Sequence, residues 1–176
     1  SYKMKFFAAF GDLCEEKNVD NPYEAIPEPR EPLPEVGLEQ LPERLRQAAL
    51  RANWPGLMPV QARAIPYLFA GRNVLVQART GSGKTGAYLL PMLEQLNSLE
   101  ATCQALILVP TRELARQVWQ ETQVLCAPAG LRAAAVYGGV SYGPQIQELK
   151  QGAHIVVGTP GRVLDHLPKR TFSHNR

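Results

Sequence analysis

The chain has few of the features that commit a protein to a disulfide framework, a metal cage or a membrane. Its three cysteines, Cys14, Cys103 and Cys126, are odd in number and scattered. That excludes a paired disulfide scaffold and a zinc-type ligand set, and points to small buried side chains in a reducing intracellular compartment, cytoplasmic or nuclear. His154, His166 and His174 show no ligand spacing either. No apolar run approaches the roughly 18 residues that argue for a membrane span, and no charged-then-apolar leader is visible. Charge of one sign is also missing: 19 Lys and Arg face 16 Asp and Glu, a surplus of three, too small to argue for a nucleic-acid partner by itself.

What is present suits a folded domain. The 176 residues are 45% hydrophobic, a single-domain length with enough apolar side chains for a core. Residues 1–35 stand apart as an N-terminal extension. Phe6, Phe7, Phe10 and Leu13 share much of one face of a short amphipathic helix over 6–14, which either packs on the domain or meets a protein partner. Pro22, Pro27, Pro29, Pro32 and Pro34 make the following stretch an extended linker. A single domain is expected over 36–176.

From residue 40 the pattern is regular. Leu41, Leu45, Ala48 and Ala49 predict one helix, and Ile65, Leu68 and Phe69 a second beginning at Pro59. Val74-Leu75-Val76 reads as a first short buried strand, followed by a helix from Lys84 to about Leu96 carrying Tyr88, Leu89, Met92 and Leu93. Strands are expected at 105–109, 133–139 and 155–158. Between them fall helices marked by Leu114, Val118 and Leu125 and by Tyr142, Ile146 and Leu149, and a last helix runs from Arg162 to Leu167. Alternation of this kind predicts an α/β fold, a parallel sheet with helices on both faces. All four strands look apolar on both sides, as a sheet covered by helices requires. Ligands are expected at the carboxyl ends of the strands.

The first strand-to-helix turn is the most informative. In "ARTGSGKT", residues 78–85, Gly81 and Gly83 allow positive φ and close approach of a ligand to the backbone. Backbone N–H groups and the start of the helix offer positive partial charge to an anion. Lys84 can reach β- and γ-phosphates, and Thr85 can place its hydroxyl on Mg²⁺. This is a P-loop, in which Ala78, Arg79, Thr80, Gly81, Ser82, Gly83, Lys84 and Thr85 cradle a nucleoside triphosphate. Ala78 stands where the common pattern has glycine. A glycine-rich turn without a ligand is the plainer alternative.

Three further strand ends carry more than turn chemistry. "PTRELA" follows the second strand, with Thr111 as a helix cap and Arg112 and Glu113 in the first turn. A cation there opposes the helix dipole, and makes sense if an anion binds nearby. Gly138-Gly139 follows the third strand, and "TPGR", Thr159 to Arg162, the fourth. Each alone is ordinary turn or cap chemistry. Together they place hydroxyls, backbone amides and two arginines along one sheet edge able to track a phosphate backbone.

These motifs, in this order and approximate spacing, resemble the first RecA-like domain of a DEAD-box ATP-dependent RNA helicase over roughly residues 36–167. Ala78 is itself typical of that family. "NWPGLMPVQARAIP", 53–66, resembles its Q motif, which implies that Gln61 hydrogen-bonds the adenine edge. The resemblance further implies ATP and Mg²⁺ as cofactors, with Lys84 and Thr85 on the phosphates and Thr85 toward the metal. It implies an RNA path along Pro110, Thr111, Arg112, Gly138, Gly139, Thr159, Pro160, Gly161 and Arg162. Two positions depart from the pattern: Val36 stands about where an aromatic residue stacks on adenine, and Met58 where a small hydroxyl residue is usual.

The sequence contains no D-E-A-D element. The resemblance implies that the acidic strand, an S-A-T element and a second RecA-like domain with an arginine finger follow beyond Arg176. The expectation is therefore an incomplete RecA-like domain that binds ATP and RNA as part of a helicase, with little hydrolysis from these residues alone. Asp165 is the nearest candidate for a carboxylate already in the chain. A non-hydrolysing nucleotide- and RNA-binding module is the alternative. A P-loop kinase or transporter ATPase leaves "PTRELA", "GG" and "TPGR" without a role.

Overall fold

The computed structural model describes residue 29 and residues 31–167. The amphipathic helix expected at 6–14 and most of the proline-rich linker lie outside these residues. Where the linker is described, it runs along the second helix: Leu33 N–H donates to the Tyr67 hydroxyl at 2.8 Å, and Val36 N–H to the Ala62 carbonyl at 3.2 Å.

Six helices and three strands follow in the order α1 (Glu43–Arg51), α2 (Pro59–Phe69), α3 (Lys84–Gln95), β1 (Ala105–Leu108), α4 (Arg112–Cys126), β2 (Ala133–Val136), α5 (Tyr142–Lys150), β3 (Ile155–Gly158) and α6 (Pro160–His166). The strands form one parallel sheet in the order β1-β3-β2. β3 is central and buried along its whole length.

Two apolar layers cover the sheet. On one face Ile107, Ile155 and Val157 pack under α1–α4, against Leu45, Ile65, Leu89, Leu93, Val118 and Leu125. On the other Ala134, Val136 and Val156 meet Leu149 of α5 and Val163 of α6. Burial at this density is the main favourable term for folding, at about 25 cal/mol per Å² of apolar surface removed from water. No described helix is long and apolar enough to cross a membrane.

Two expectations about the sheet are corrected. Among the described residues Val74-Leu75-Val76 has no ladder partner and is not a strand. Its burial still alternates, with Val74 packed on the core and Leu75 66% exposed, so the backbone is extended but unpaired. Hydrophobic pattern reports a buried side; only a neighbour with free N–H and C=O groups makes a strand. The second correction concerns β1, which is not apolar-buried on both faces. Leu106 and Leu108 are 37% and 39% exposed, because α5 and α6 cover β2 and β3 and do not reach across to this edge. The strands expected at 105–109 and 133–139 are also shorter, ending at Leu108 and Val136.

Candidate functional site

The register of the sheet sets the first half of the site. Leu108 and Val136 both pair with Gly158, so three strands end at one level. Val109 N–H donates to the Gly158 carbonyl and Thr159 N–H to the Val136 carbonyl, both at 3.0 Å, which ties the exits together. Gly158 is required here: a β-carbon would fall 2.6 Å from both the Val136 carbonyl oxygen and Val163 Cγ2. Pro110-Thr111-Arg112, Gly138-Gly139 and Thr159-Pro160-Gly161-Arg162 consequently emerge side by side.

Their side chains converge on the 138–140 turn. Gly139 has φ +82°, and a β-carbon built on it would fall 2.8 Å from Arg112 Nη1. Arg162 reaches the same turn from the other side, donating from Nη1 to the Val140 carbonyl at 3.1 Å. Thr111 caps α4 as its sequence predicts, its hydroxyl oxygen accepting from Leu114 N–H at 3.2 Å. Thr159 occupies the matching cap position of α6 and makes no side-chain cap bond, leaving its hydroxyl for another partner. The anion expected near Arg112 is in part its neighbour: Arg112 Nε donates to Glu113 Oε1 at 2.6 Å. That contact holds the Glu113 carboxyl below, and the Arg112 guanidinium above, its ordinary range.

The second half is the 78–85 turn. Gly81 and Gly83 adopt φ of +78° and +86°, the left-handed region that glycine enters without strain. Lys84 Nζ folds back onto the turn and donates to the Ala78 and Arg79 carbonyls at 2.6 and 2.8 Å. Ser82 Oγ is buried without a hydrogen-bond partner. Around Gly81 there is open space where a β-carbon would project. A cationic lysine, an unpartnered hydroxyl and an open glycine cradle at a helix start fit an anionic phosphate group.

A cavity of about 910 Å³ opens beside this turn, lined by Thr80, Gly81, Gly83, Lys84, Thr85, Trp54, Met58 and Gln61, and on its far side by Gln117 and Glu121 of α4. Gln61 is only 2% exposed. Its Oε1 accepts from Met58 N–H at 2.8 Å, and its Nε2 donates to the Gly83 carbonyl at 3.1 Å. Gln61 thus braces the loop and still fronts the cavity. Val36 lines a neighbouring cavity of about 430 Å³, across the wall formed by Pro55, Gly56 and Leu57.

Sequence reasoning missed two residues of this half. Glu121, not Asp165, is the carboxylate that lines the Lys84–Thr85 cavity; Asp165 accepts from the Tyr142 hydroxyl at 2.8 Å on the α5–α6 side. The spacing of Glu121 from Leu114 and Val118 carried no signal, because it looks like an ordinary polar helix position. Trp54 was the other: its ring lies where a side chain on Gly86 would go, with Cη2 2.2 Å from that β-carbon position. Among the described residues no three His, Cys, Asp or Glu side chains cluster as a metal cage. Thr85 lines the same cavity from the first turn of α3.

Comparison with known proteins follows the same lines. The family model described as DEAD/DEAH box helicase matches residues 58–176. Over 133 residues the chain is 42% identical to the DEAD-box ATP-dependent RNA helicase CshA of Bacillus licheniformis, covering 76% of this chain and 27% of that one. It is 44% identical over 134 residues to the ATP-dependent RNA helicase DeaD of Haemophilus influenzae, covering 76% and 22%. Among solved structures, a DEAD box protein from the hyperthermophile Methanococcus jannaschii superimposes with a TM-score of 0.69 at 40% identity, over 76% of this chain and 37% of that chain. The yeast DEAD-box splicing factor Prp28 gives 0.69 at 31% identity, over 81% and 36%. The chain spans about a quarter of the length of the curated relatives it matches.

Proposed function

The chain belongs to the DEAD/DEAH box helicase family, and we propose that residues 36–176 are the ATP- and RNA-binding part of an ATP-dependent RNA helicase that remodels or unwinds RNA. The observation that carries this reading is the 78–85 cradle: Lys84 folded onto two loop carbonyls beside two positive-φ glycines and a partnerless Ser82 hydroxyl. Phosphate oxygens would replace those carbonyls as Lys84 partners, and charge-assisted bonds of this kind are about twice as strong as neutral ones. Bound ATP with Mg²⁺ supplies the phosphoryl group. Lys84 and the loop amides would hold its β- and γ-phosphates, the Thr85 hydroxyl would serve the metal, and Gln61, at the cavity wall, would meet the adenine edge.

The strand-end edge is the proposed RNA path. Arg112 and Arg162 flank the Gly139 turn, with the Thr111 and Thr159 hydroxyls beside them. These groups suit contacts to phosphate and ribose, which position a strand without reading its sequence. Phosphoryl transfer is mostly positioning and charge stabilisation. We assign turnover to elements that the family resemblance places after "TPGR": the D-E-A-D and S-A-T strands and the second RecA-like domain, which is also the principal partner. A protein partner for residues 1–35 belongs to the same proposal, as does an intracellular setting.

The test is isothermal titration of ATP and ADP against the wild-type chain and Lys84→Ala. Loss of the charged contact lowers affinity by about tenfold, the size of a hydrogen bond to a charged group. Equal affinity for the two proteins removes the cradle assignment.

A further inference from the structure

Tyr142 belongs to none of the strand-end motifs, yet it holds one of their arginines. The Arg162 guanidinium carbon lies 4.0 Å from the centroid of the Tyr142 ring. The Tyr142 hydroxyl donates to Asp165 Oδ2 at 2.8 Å. The buried His166 ring stands 5.4 Å away, tilted by 50°. Arg162, Asp165 and His166 all come from α6, whereas Tyr142 opens α5. The ring is therefore fixed at three points by the helix that carries the arginine.

We propose that Tyr142 is a positioning residue that sets the direction in which Arg162 meets an RNA phosphate. The inference rests on the RNA-path reading above. Stacking on a ring covers the flat face of a guanidinium and leaves its five N–H groups pointing outward in the plane. One of those N–H groups goes to the Val140 carbonyl, so the plane is fixed by two contacts that do not coincide. The rest of the fork is left for an anion. An arginine held this way loses less side-chain freedom on binding than a loose one. The Tyr142 hydroxyl also engages the Asp165 carboxylate, on the same helix as the arginine.

The experiment uses single-stranded RNA binding by the full chain across a salt series, with wild type, Tyr142→Leu, Tyr142→Phe and Arg162→Ala, together with NMR of the Arg162 side chain. Tyr142→Leu removes the stack and keeps the charge, so affinity falls by about threefold to tenfold while the salt slope stays the same. Arg162→Ala also loses affinity, and its slope falls by about 0.7, one phosphate contact on a single strand. Tyr142→Phe keeps the ring and stays within about twofold of wild type. The Arg162 δ-protons show an upfield ring-current shift in wild type and Tyr142→Phe, and lose it in Tyr142→Leu. If Arg162→Ala leaves RNA binding unchanged, the RNA path fails and the inference with it. If Arg162→Ala weakens binding but Tyr142→Leu does not, while the ring-current shift is lost, only the positioning role is overturned. An affinity loss in Tyr142→Leu matched by a drop in melting temperature, with no ring-current shift at Arg162 in wild type, also overturns it.

Discussion

Arg112 lies where a side chain on Gly139 would have to go: a β-carbon built at Gly139 falls 2.8 Å from Arg112 Nη1. Two motifs 27 residues apart in sequence thus occupy one spot on the sheet edge. The glycine serves two needs there, a positive φ and room for a guanidinium.

Gly139→Ala separates those needs from each other. The φ of +82° strains any L side chain by about 1–2 kcal/mol, whereas the arginine tip can swing aside cheaply. The variant is expected to melt a few degrees lower and to bind RNA more weakly, with Arg112 displaced. Thermal melting and RNA titration at two salt concentrations check it. Unchanged RNA affinity means that Arg112 does not depend on this turn.

Trp54 and Gly86 form a tighter couple. Cη2 of Trp54 lies 2.2 Å from the Gly86 β-carbon position, and Gln61 Nε2 lies 2.5 Å from it. Gly86→Ala alone should cost about 1–3 kcal/mol by overpacking, against a helix-propensity gain of about 1 kcal/mol. Trp54→Phe shrinks the ring and should recover part of that loss. Denaturant unfolding of both single variants and the double variant gives the coupling energy, expected at about 1 kcal/mol or more. Additive effects rule out the contact.

Gln61 braces the loop from a buried position, so its removal should be felt in stability as well as in binding. Gln61→Leu leaves the Met58 N–H without its partner and removes one of the two bonds to the Gly83 carbonyl, which keeps the Ala87 N–H. A part-buried donor stranded in this way costs about 1 kcal/mol, the low end for a lost partner. Melting temperature and ADP affinity are both expected to fall. A loss of ADP binding with unchanged melting assigns Gln61 to the ligand alone.

Glu148 gives a pH signature. It is half-buried, and desolvation raises its carboxyl above the usual range, with the Ala135 N–H working in the opposite direction. The native state therefore binds this proton more tightly than the unfolded chain does. The protonated form is the favoured one: stability rises as pH falls through the native value toward 4.5, and is lost as pH rises through it. Glu148→Gln removes the titration, so its melting temperature should equal or exceed that of wild type at neutral pH, with the gap closing by about pH 4. A gap that widens on acidification reverses the assignment.

The cysteines offer a check on packing. Burial pushes the Cys103 thiol up to about 11 and the Cys126 thiol up to about 12. The thiolate is the reactive form, so both should react slowly with a disulfide reagent at pH 8 in the native chain and rapidly in denaturant. A Cys14→Ser background restricts the count to these two. Fast native reaction of Cys126 means that the core around α4 opens.

Much of this molecule was legible in order. The helical spacing of Leu45, Ala48, Leu89, Leu93, Val118 and Leu125 reports which face meets a sheet, because burial follows a period of 3.6 whatever the neighbours are. The glycines of 81–83, the capping role of Thr111 and the cluster of cations at strand ends are local chemistry, and local chemistry is written in adjacent residues. Pairing is not. Val74-Leu75-Val76 has the composition of a strand, yet among the described residues it joins no ladder. Leu106 and Leu108 look like buried strand residues, yet no helix reaches them. The strand order β1-β3-β2 likewise follows from which edges meet. What the sequence could not contain was distance across the fold: that Arg112 meets Gly139, that Glu121 and not Asp165 shares a cavity with Lys84, that Trp54 needs Gly86 bare, and that Tyr142 lies under Arg162. Each joins residues whose separation along the chain carries no period, so only the packed sheet and its register brought them together.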